Sequence, residues 1–214
     1  MLIIGAKGHA KEILDIFEKN NFQDEIYFFD DVSETFSDKI FSKYPVIKSF
    51  EQLNKFNLAR KIFVLGLGNP FLRRQMSLKF QNLGWKLSSV ISNNALIGNH
   101  NVALGQGLNV MHNVIISNDV EIGEGCLINA LSSIHHDVRI GKYCEISPAV
   151  CLTGNVIVND FTSIGTGTTI IPKIKVGRNC IIGAGSVVIN DIPDNSFAVG
   201  VPAKIIKKNN KIIK

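Results

Sequence analysis

Residues 104–188 read, in blocks of six, LGQGLN VMHNVI ISNDVE IGEGCL INALSS IHHDVR IGKYCE ISPAVC LTGNVI VNDFTS IGTGTT IIPKIK VGRNCI IGAGSV V. Every block opens on Ile, Leu or Val, from Leu104 to Val188, at fifteen positions without a break. A helix repeats about every 3.6 residues and a strand every two, so a strict period of six fits neither. It fits a parallel β-helix in which each flat face takes six residues and three faces close one coil. Residues eighteen apart then stack, with backbones about 4.8 Å apart, the strand spacing of any sheet. An ordinary β-sandwich would not keep phase through so many repeats.

The other positions of the block agree. Four residues after the apolar one the side chain is mostly small or β-branched, as at Cys126, Ser132, Val138, Cys144, Val150 and Thr162. These fit inside the prism beside the larger aliphatics. The residue just after the apolar one is often glycine, as at Gly105, Gly123, Gly141, Gly165, Gly177 and Gly183. A tight corner at positive φ would explain that preference.

The chain has 214 residues and 45% hydrophobic content, enough for a core and for two modest domains. No apolar run is long enough for a membrane span, and the start is too quickly polar for a signal peptide. A cytoplasmic protein without stable membrane insertion is expected. The net charge of +5 comes from Lys204, Lys207, Lys208, Lys211 and Lys214; without them the body balances 18 basic against 18 acidic residues. A nucleic-acid binder would carry its basic patch on the folded domain, so no nucleic-acid partner is expected. The basic tail, residues 205–214, reads as a solvated end. Cys126, Cys144 and Cys180 occupy the small slot of the repeat, and no CxxC exists to suggest zinc.

Residues 1–92 alternate strand and helix. Leu2–Ile4, Tyr27–Phe29 and Ile62–Leu65 read as strands, and helices follow the first and third. The expectation is a small α/β domain with a parallel sheet, followed by the coil over 93–204. Ligands of such sheets sit at the carboxyl ends of the strands. Three loops meet there. Gly5 to His9, with Lys7 and Gly8, is a strand-to-helix turn suited to phosphate. Asp30 and Asp31 could hold ribose hydroxyls or simply form a turn. Gly68 and Asn69, with Arg73, could add a cation for a diphosphate. Together they point to a nucleotide or nucleotide-sugar.

In the coil the best chemical cluster is His135-His136-Asp137, with Asn129 on the preceding face. A neutral histidine can take a proton near pH 7, and a neighbouring carboxylate can orient the ring. Gly154 lies one coil above His136, its N–H about 5 Å from that of His136. A glycine there leaves room for a thioester, and its N–H could stabilise an oxyanion. His135 stands where the corner glycine usually does, and is the weaker candidate. His100 and His112 form no histidine pair at metal-ligand spacing, so no metal is expected.

Three further stretches complete a pattern. They are His136-Asp137-x-x-Ile140-Gly141, the ending Ile182-Gly183-Ala184-Gly185-Ser186 with Gly200-Val201-Pro202-Ala203-Lys204, and the opening Gly5-Ala6-Lys7-Gly8-His9-Ala10. With the Asp30-Asp31 pair, the chain resembles, over nearly its full length, left-handed β-helix sugar acetyltransferases that carry a nucleotide-binding domain before the coil. That group includes the bacillosamine-pathway and perosamine N-acetyltransferases and the sialic acid O-acetyltransferases. The resemblance implies His136 as general base, Asp137 as its carboxylate partner, Asn129 near the acceptor amine and Gly154 as donor to the thioester carbonyl. It implies a homotrimer, with acetyl-CoA in a groove between subunits near Thr166 and Ala184 and the Gly200–Lys204 loop by its nucleotide end. It implies that Lys7, Gly8, His9, Asp30, Asp31 and Gly68 hold the acceptor's nucleotide. Family members commonly carry a second, donor-contacting histidine where this chain has Glu145.

The expected activity is acetyl-CoA-dependent N-acetylation of the 4-amino group of a nucleotide-linked amino-dideoxy sugar, UDP-linked in the first instance, for bacterial glycan biosynthesis. The alternatives are O-acetylation of sialic acid or a related sugar, and a non-catalytic coil that binds nucleotide sugars.

Overall fold

A computed structural model of the chain describes residues 1–33, 38–56 and 60–209. The N-terminal part builds a mixed sheet from β1 (Leu2–Ile4), β2 (Tyr27–Phe29), β3 (Lys39–Ile40), β4 (Tyr44–Ile47), β5 (Ile62–Leu65) and β6 (Lys86–Leu87), in the order β3-β4-β2-β1-β5-β6. All pairs are parallel except the β3–β4 hairpin. The helices are α1 (Gly8–Lys19), α2 (Phe50–Lys55) and α3 (Pro70–Asn82). The central strand β1 is apolar throughout because both its faces are covered. Ile3, Phe28 and Val64 pack under α1, whose Ile13, Leu14 and Phe17 recur at helical spacing. Leu2, Ile4 and Phe63 face the other way, onto Phe80 of α3 and Trp85.

From Val90 the chain winds into a left-handed parallel β-helix of two-residue strands. Among the described residues its three faces hold eight, six and five strands. Face one runs from Val90–Ile91 through Asn109–Val110, Leu127–Ile128, Glu145–Ile146, Ser163–Ile164 and Ile181–Ile182. Face two runs from Leu96–Ile97 to Val187–Val188, and face three from Ala103–Leu104 to Lys175–Val176. The register pairs residues eighteen apart, Leu127 with Glu145 and Ser133 with Cys151. The first coil differs: Val90 pairs with Asn109 and Leu96 with Ile115, nineteen apart. One extra residue between Ile97 and Leu104 therefore explains why the sixfold period becomes strict only at Leu104. The first rung is Val90–Ile91, which pairs with Asn109–Val110 and leads into the coil expected over 93–204.

From Val110 to Val188 every member of the apolar series is at most 3% exposed, and the small slot is equally dry except at Ile174, which is partly exposed. The slot's hydroxyls are satisfied across the coil, as where Thr162 Oγ1 donates to Gly177 O at 2.7 Å. The corner glycines have a different cause from the one expected. Gly123, Gly165 and Gly177 are not at positive φ. A Cβ on Gly123 would lie 2.7 Å from Gly141 C, and one on Gly165 would lie 2.6 Å from Ala184 N. Close approach of the next coil requires them. Positive φ falls two residues later, at Asp119, Gly125, Leu131, Asp137, Tyr143 and their equivalents.

The end of the chain also departs from expectation. Ser196–Val199 joins face one, and Lys204–Lys208 pairs antiparallel to it as an exposed edge strand. Its exposed Lys207 and Lys208 are thus ordered; the rest of the tail, with Lys211 and Lys214, lies outside the described residues.

Candidate active site

His136 sits on the corner between faces two and three. The strands Ser133–Ile134 and Arg139–Ile140 flank it, and burial of Ile134 and Ile140 turns the intervening residues outward. Asp137 takes φ +60°, which bends the chain round the corner and folds its carboxylate back on the preceding ring. His136 Nδ1 lies 2.7 Å from Asp137 Oδ2. With Nδ1–H donating to that carboxylate, Nε2 carries the free lone pair and the ring is fixed in the tautomer a base needs. Half or more of each side chain is exposed, so a substrate has access.

Gly154 stacks directly above. His136 O accepts from Asn155 N at 3.0 Å, and a Cβ on Gly154 would lie 2.5 Å from His136 Cε1 and 2.7 Å from Nε2. The ring therefore lies against the bare Cα of Gly154. Among the described residues the Gly154 N–H donates to no main-chain carbonyl, so it is available beside the imidazole. Base, orienting carboxylate and unsatisfied N–H form one cluster.

Asn129, Thr166 and Ala184 fall elsewhere. All three lie on the corner between faces one and two, with face two separating them from His136. The corner offers an exposed ridge, Thr166-Gly167 below Ala184-Gly185, and a Cβ on Gly167 or Gly185 would meet nothing within 4 Å. Below it, Asn129 and Ala130 border a groove of about 380 Å³ that α1 closes with Lys11, Glu12 and Asp15. His112 lies in the same groove. Its Nε2 is 3.2 Å from Asp15 Oδ2 and its Nδ1 is 2.6 Å from Ser92 Oγ. Asp15 is held below the usual carboxylate range chiefly by its bond from Lys19, then by His112. Sequence reasoning missed this cluster, because nothing local joins Asp15 to a residue 97 positions away.

At the carboxyl ends of β1, β2 and β5 a cavity of about 250 Å³ opens, bordered by Gly5, Lys7, Asp30, Asp31, Leu67 and Met76 among others. Three of the expected nucleotide ligands, Lys7, Asp30 and Asp31, thus line one pocket. Asp30 is largely engaged: Oδ1 accepts from Val32 N and Ser33 N, and Oδ2 from Ser33 Oγ. It shapes the loop, while Asp31 faces Lys79 at 3.6 Å. Gly8, His9, Gly68 and Asn69 do not border this cavity. Gly8 opens α1, and Asn69 caps α3 by accepting from Phe71 N and Leu72 N. The His9 ring is turned into the seam with the coil, between Glu12 and Asn109, and burial lowers its pKa.

Arg73 is the clearest correction. Expected to meet a diphosphate, it is fully buried between α3 and the coil. Its guanidinium donates to Leu65 O, Leu67 O, Gly107 O, Gly125 O and Cys126 O, which uses all five N–H groups. None is left for a ligand. Glu145 likewise stands in this seam. It lies on face one beneath Gly68, bonded by Ser163 Oγ at 3.3 Å, and burial raises its pKa against the pull of Arg73. In a single chain it is one full face away from His136.

Among the described residues no group of three His, Cys, Asp or Glu is placed to hold a metal ion. No described helix is long and apolar enough to cross a membrane.

Residues 1–80 match the PglD N-terminal domain, and residues 119–154 match the bacterial transferase hexapeptide repeat. A point mutant of perosamine N-acetyltransferase from Caulobacter crescentus, solved with CoA and GDP-perosamine, is 31% identical; the alignment covers 97% of this chain and 96% of that one at a TM-score of 0.84. The acetyltransferase domain of PglB from Neisseria gonorrhoeae, also solved with acetyl coenzyme A, is 29% identical over 96% and 98% of the two chains, TM-score 0.86. WeeI from Acinetobacter baumannii is 26% identical over 96% and 98%, TM-score 0.87. No curated protein sequence matches the chain.

Proposed function

The chain belongs to the hexapeptide-repeat sugar acetyltransferases that open on a PglD-type N-terminal domain, and on that premise we propose that it transfers the acetyl group of acetyl-CoA to the 4-amino group of a nucleotide-linked amino-dideoxy sugar. The observation that carries the reading is the corner cluster of His136, Asp137 and Gly154. His136 Nε2 takes a proton from the acceptor nitrogen as that nitrogen bonds to the thioester carbon. Asp137 stabilises the imidazolium, and the Gly154 N–H stabilises the oxyanion. The C–S bond then breaks, and the departing thiolate takes the proton back from His136. No covalent intermediate on the protein is needed.

The N-terminal pocket holds the nucleotide. Lys7, Asp30 and Asp31 border that cavity at the strand ends, and UDP is the carrier we take in the first instance. Gripping a remote, non-reacting group positions the amine for attack.

The working unit is a homotrimer. Two arrangements support this. The N-terminal domain sits on face one, while His136 lies on the corner opposite that face, so one chain's nucleotide pocket is turned away from its own base. Face two, between the Asn129 and His136 corners, presents Leu96 and Ile115, 66% and 48% exposed, with Leu131 at its edge. Covering that face with a second copy would bring one chain's His136 toward its neighbour's Asn129, Thr166 and Ala184. Acetyl-CoA and nucleotide sugars are metabolites of the cytoplasm, which supports a cytoplasmic setting for the proposed reaction. The test is thiol release from acetyl-CoA that depends on an added nucleotide-linked amino sugar and disappears in His136→Ala. Release that ignores the amino sugar would reject the reading.

A further inference from the structure

The seam between the N-terminal domain and face one holds polar groups that the chemistry above does not use. Arg73 is the largest fully buried side chain of the protein. Burial lowers its pKa to about 10, so it remains a cation at neutral pH. Its partners are carbonyl oxygens drawn from two sources. Nη1 donates to Leu65 O at 3.0 Å, at the end of β5, and to Leu67 O at 2.8 Å, where Gly66 and Leu67 border the nucleotide cavity. Nε donates to Gly125 O at 2.7 Å, and Nη2 to Cys126 O at 3.2 Å and Gly107 O at 3.3 Å, on successive rungs of the coil. The planar fork of the guanidinium is what allows one side chain to hold both at once. Asn109, on face one and wholly buried, donates a second bond to Leu65 O at 2.6 Å. Phe71, two residues before Arg73, stacks on Phe161 of the coil at 5.4 Å.

We infer that Arg73, seconded by Asn109, is a positioning residue: it pins the Leu65–Leu67 edge of the nucleotide cavity to the coil, and so fixes where a bound nucleotide sugar can present its amine. The inference rests on the nucleotide-sugar reading, and touches no group in the reacting cluster. Both ends of the strap are backbone, so no side chain on either side can yield to compensate. A rigid strap matters because a shift of about 1 Å in a reacting group can cost on the order of a hundredfold in rate.

Lysine at 73 keeps the charge but offers three N–H groups from one point, which leaves carbonyls without a donor. Arg73→Lys and Asn109→Ala would each be compared with the parent protein in two ways. Hydrogen exchange would follow residues 65–69, including Gly66, whose N–H donates to Ile4 O at 2.8 Å. Steady-state kinetics would give KM for each substrate. The expected result for Arg73→Lys is loop exchange and nucleotide-sugar KM each raised about tenfold or more. Coil amides around Ile146 and the KM for acetyl-CoA should stay at parental values. Asn109→Ala should change the same two quantities by about threefold, and it decides the matter if Arg73→Lys does not fold. Unchanged loop exchange in the folded variants would overturn the inference. So would an equal loss of turnover with both KM values intact, the mark of a purely structural role. The exchange measurement needs no turnover, so it still decides if the parent protein acetylates no nucleotide sugar and the functional reading itself fails.

Discussion

Substituting Gly154 by alanine adds one methyl group and tests the corner cluster. Gly154 is not at positive φ, so alanine suits its backbone and the coil should fold as before. The new Cβ would lie 2.5 Å from His136 Cε1 and 2.7 Å from Nε2, where ordinary contact begins near 3.4 Å. The ring has to retreat by about 1 Å, which is the scale at which misplacement costs on the order of a hundredfold in rate. Such a retreat carries the ring away from the Gly154 N–H and from its present seat 2.7 Å from Asp137 Oδ2. We expect kcat to fall by about 10², with the thermal midpoint within a few degrees of the parent. The assay is thiol release under saturating acetyl-CoA and nucleotide-linked amino sugar, alongside thermal unfolding. If the methyl acts through the ring, the double variant Gly154→Ala/His136→Ala should be no slower than His136→Ala alone. Parental turnover in Gly154→Ala, or losses that multiply in the double variant, would refute the reasoning.

Other expectations follow from the same geometry. His136→Ala should lower kcat by about 10²–10⁴ with fold and assembly intact, and Asp137→Asn should cost less; far-ultraviolet circular dichroism and light scattering separate the two effects. Ile115→Asp, on the exposed apolar face two, should shift light scattering from trimer to smaller species and abolish transfer with them. Asp30→Ala removes the carboxylate that organises residues 30–33, and should raise the nucleotide-sugar KM while leaving slow hydrolysis of acetyl-CoA unchanged. Glu145→Gln bears on pH. The folded carboxyl has a raised pKa, so the native state resists its ionisation; whatever it contributes is present below the ordinary glutamate range and lost as pH rises. Glu145→Gln should therefore raise the melting temperature near pH 7, with the gain vanishing as pH falls below about 4.5. A variant less stable at both pH values would contradict the sign.

The coil was legible because its signal is repeated. One misplaced aliphatic among Leu104 to Val188 would have been visible, and the pairing of residues eighteen apart follows from the period alone. The adjacency of His136, Asp137 and Gly154 was legible for the same reason: register turns a sequence offset into a distance. Register failed where contacts leave the coil. Arg73 looked like a free cation at a strand-end loop, and only the docking of α3 on the rungs at Gly107 and Gly125 shows its donors to be consumed. His9 and Asn109 meet across 100 residues, and His112 and Asp15 across 97, with no local pattern to pair them. The corner glycines were recognised with the wrong cause, since a one-chain pattern reveals a missing Cβ without revealing whether dihedral angle or neighbouring backbone forbids it. Asn129 and His136 look close at seven residues apart, yet a flat face lies between them.

The most direct test of the central claim is the product itself. The protein would be incubated with acetyl-CoA and, in turn, UDP- and GDP-linked 4-amino-dideoxy sugars and free sialic acid, with the products weighed by mass spectrometry before and after hydroxylamine. One added acetyl group is expected on a nucleotide-linked amino sugar, resistant to hydroxylamine as an amide is, and none when His136 is alanine. An acetyl group on free sialic acid that hydroxylamine removes, or transfer that survives the loss of His136, would contradict that claim.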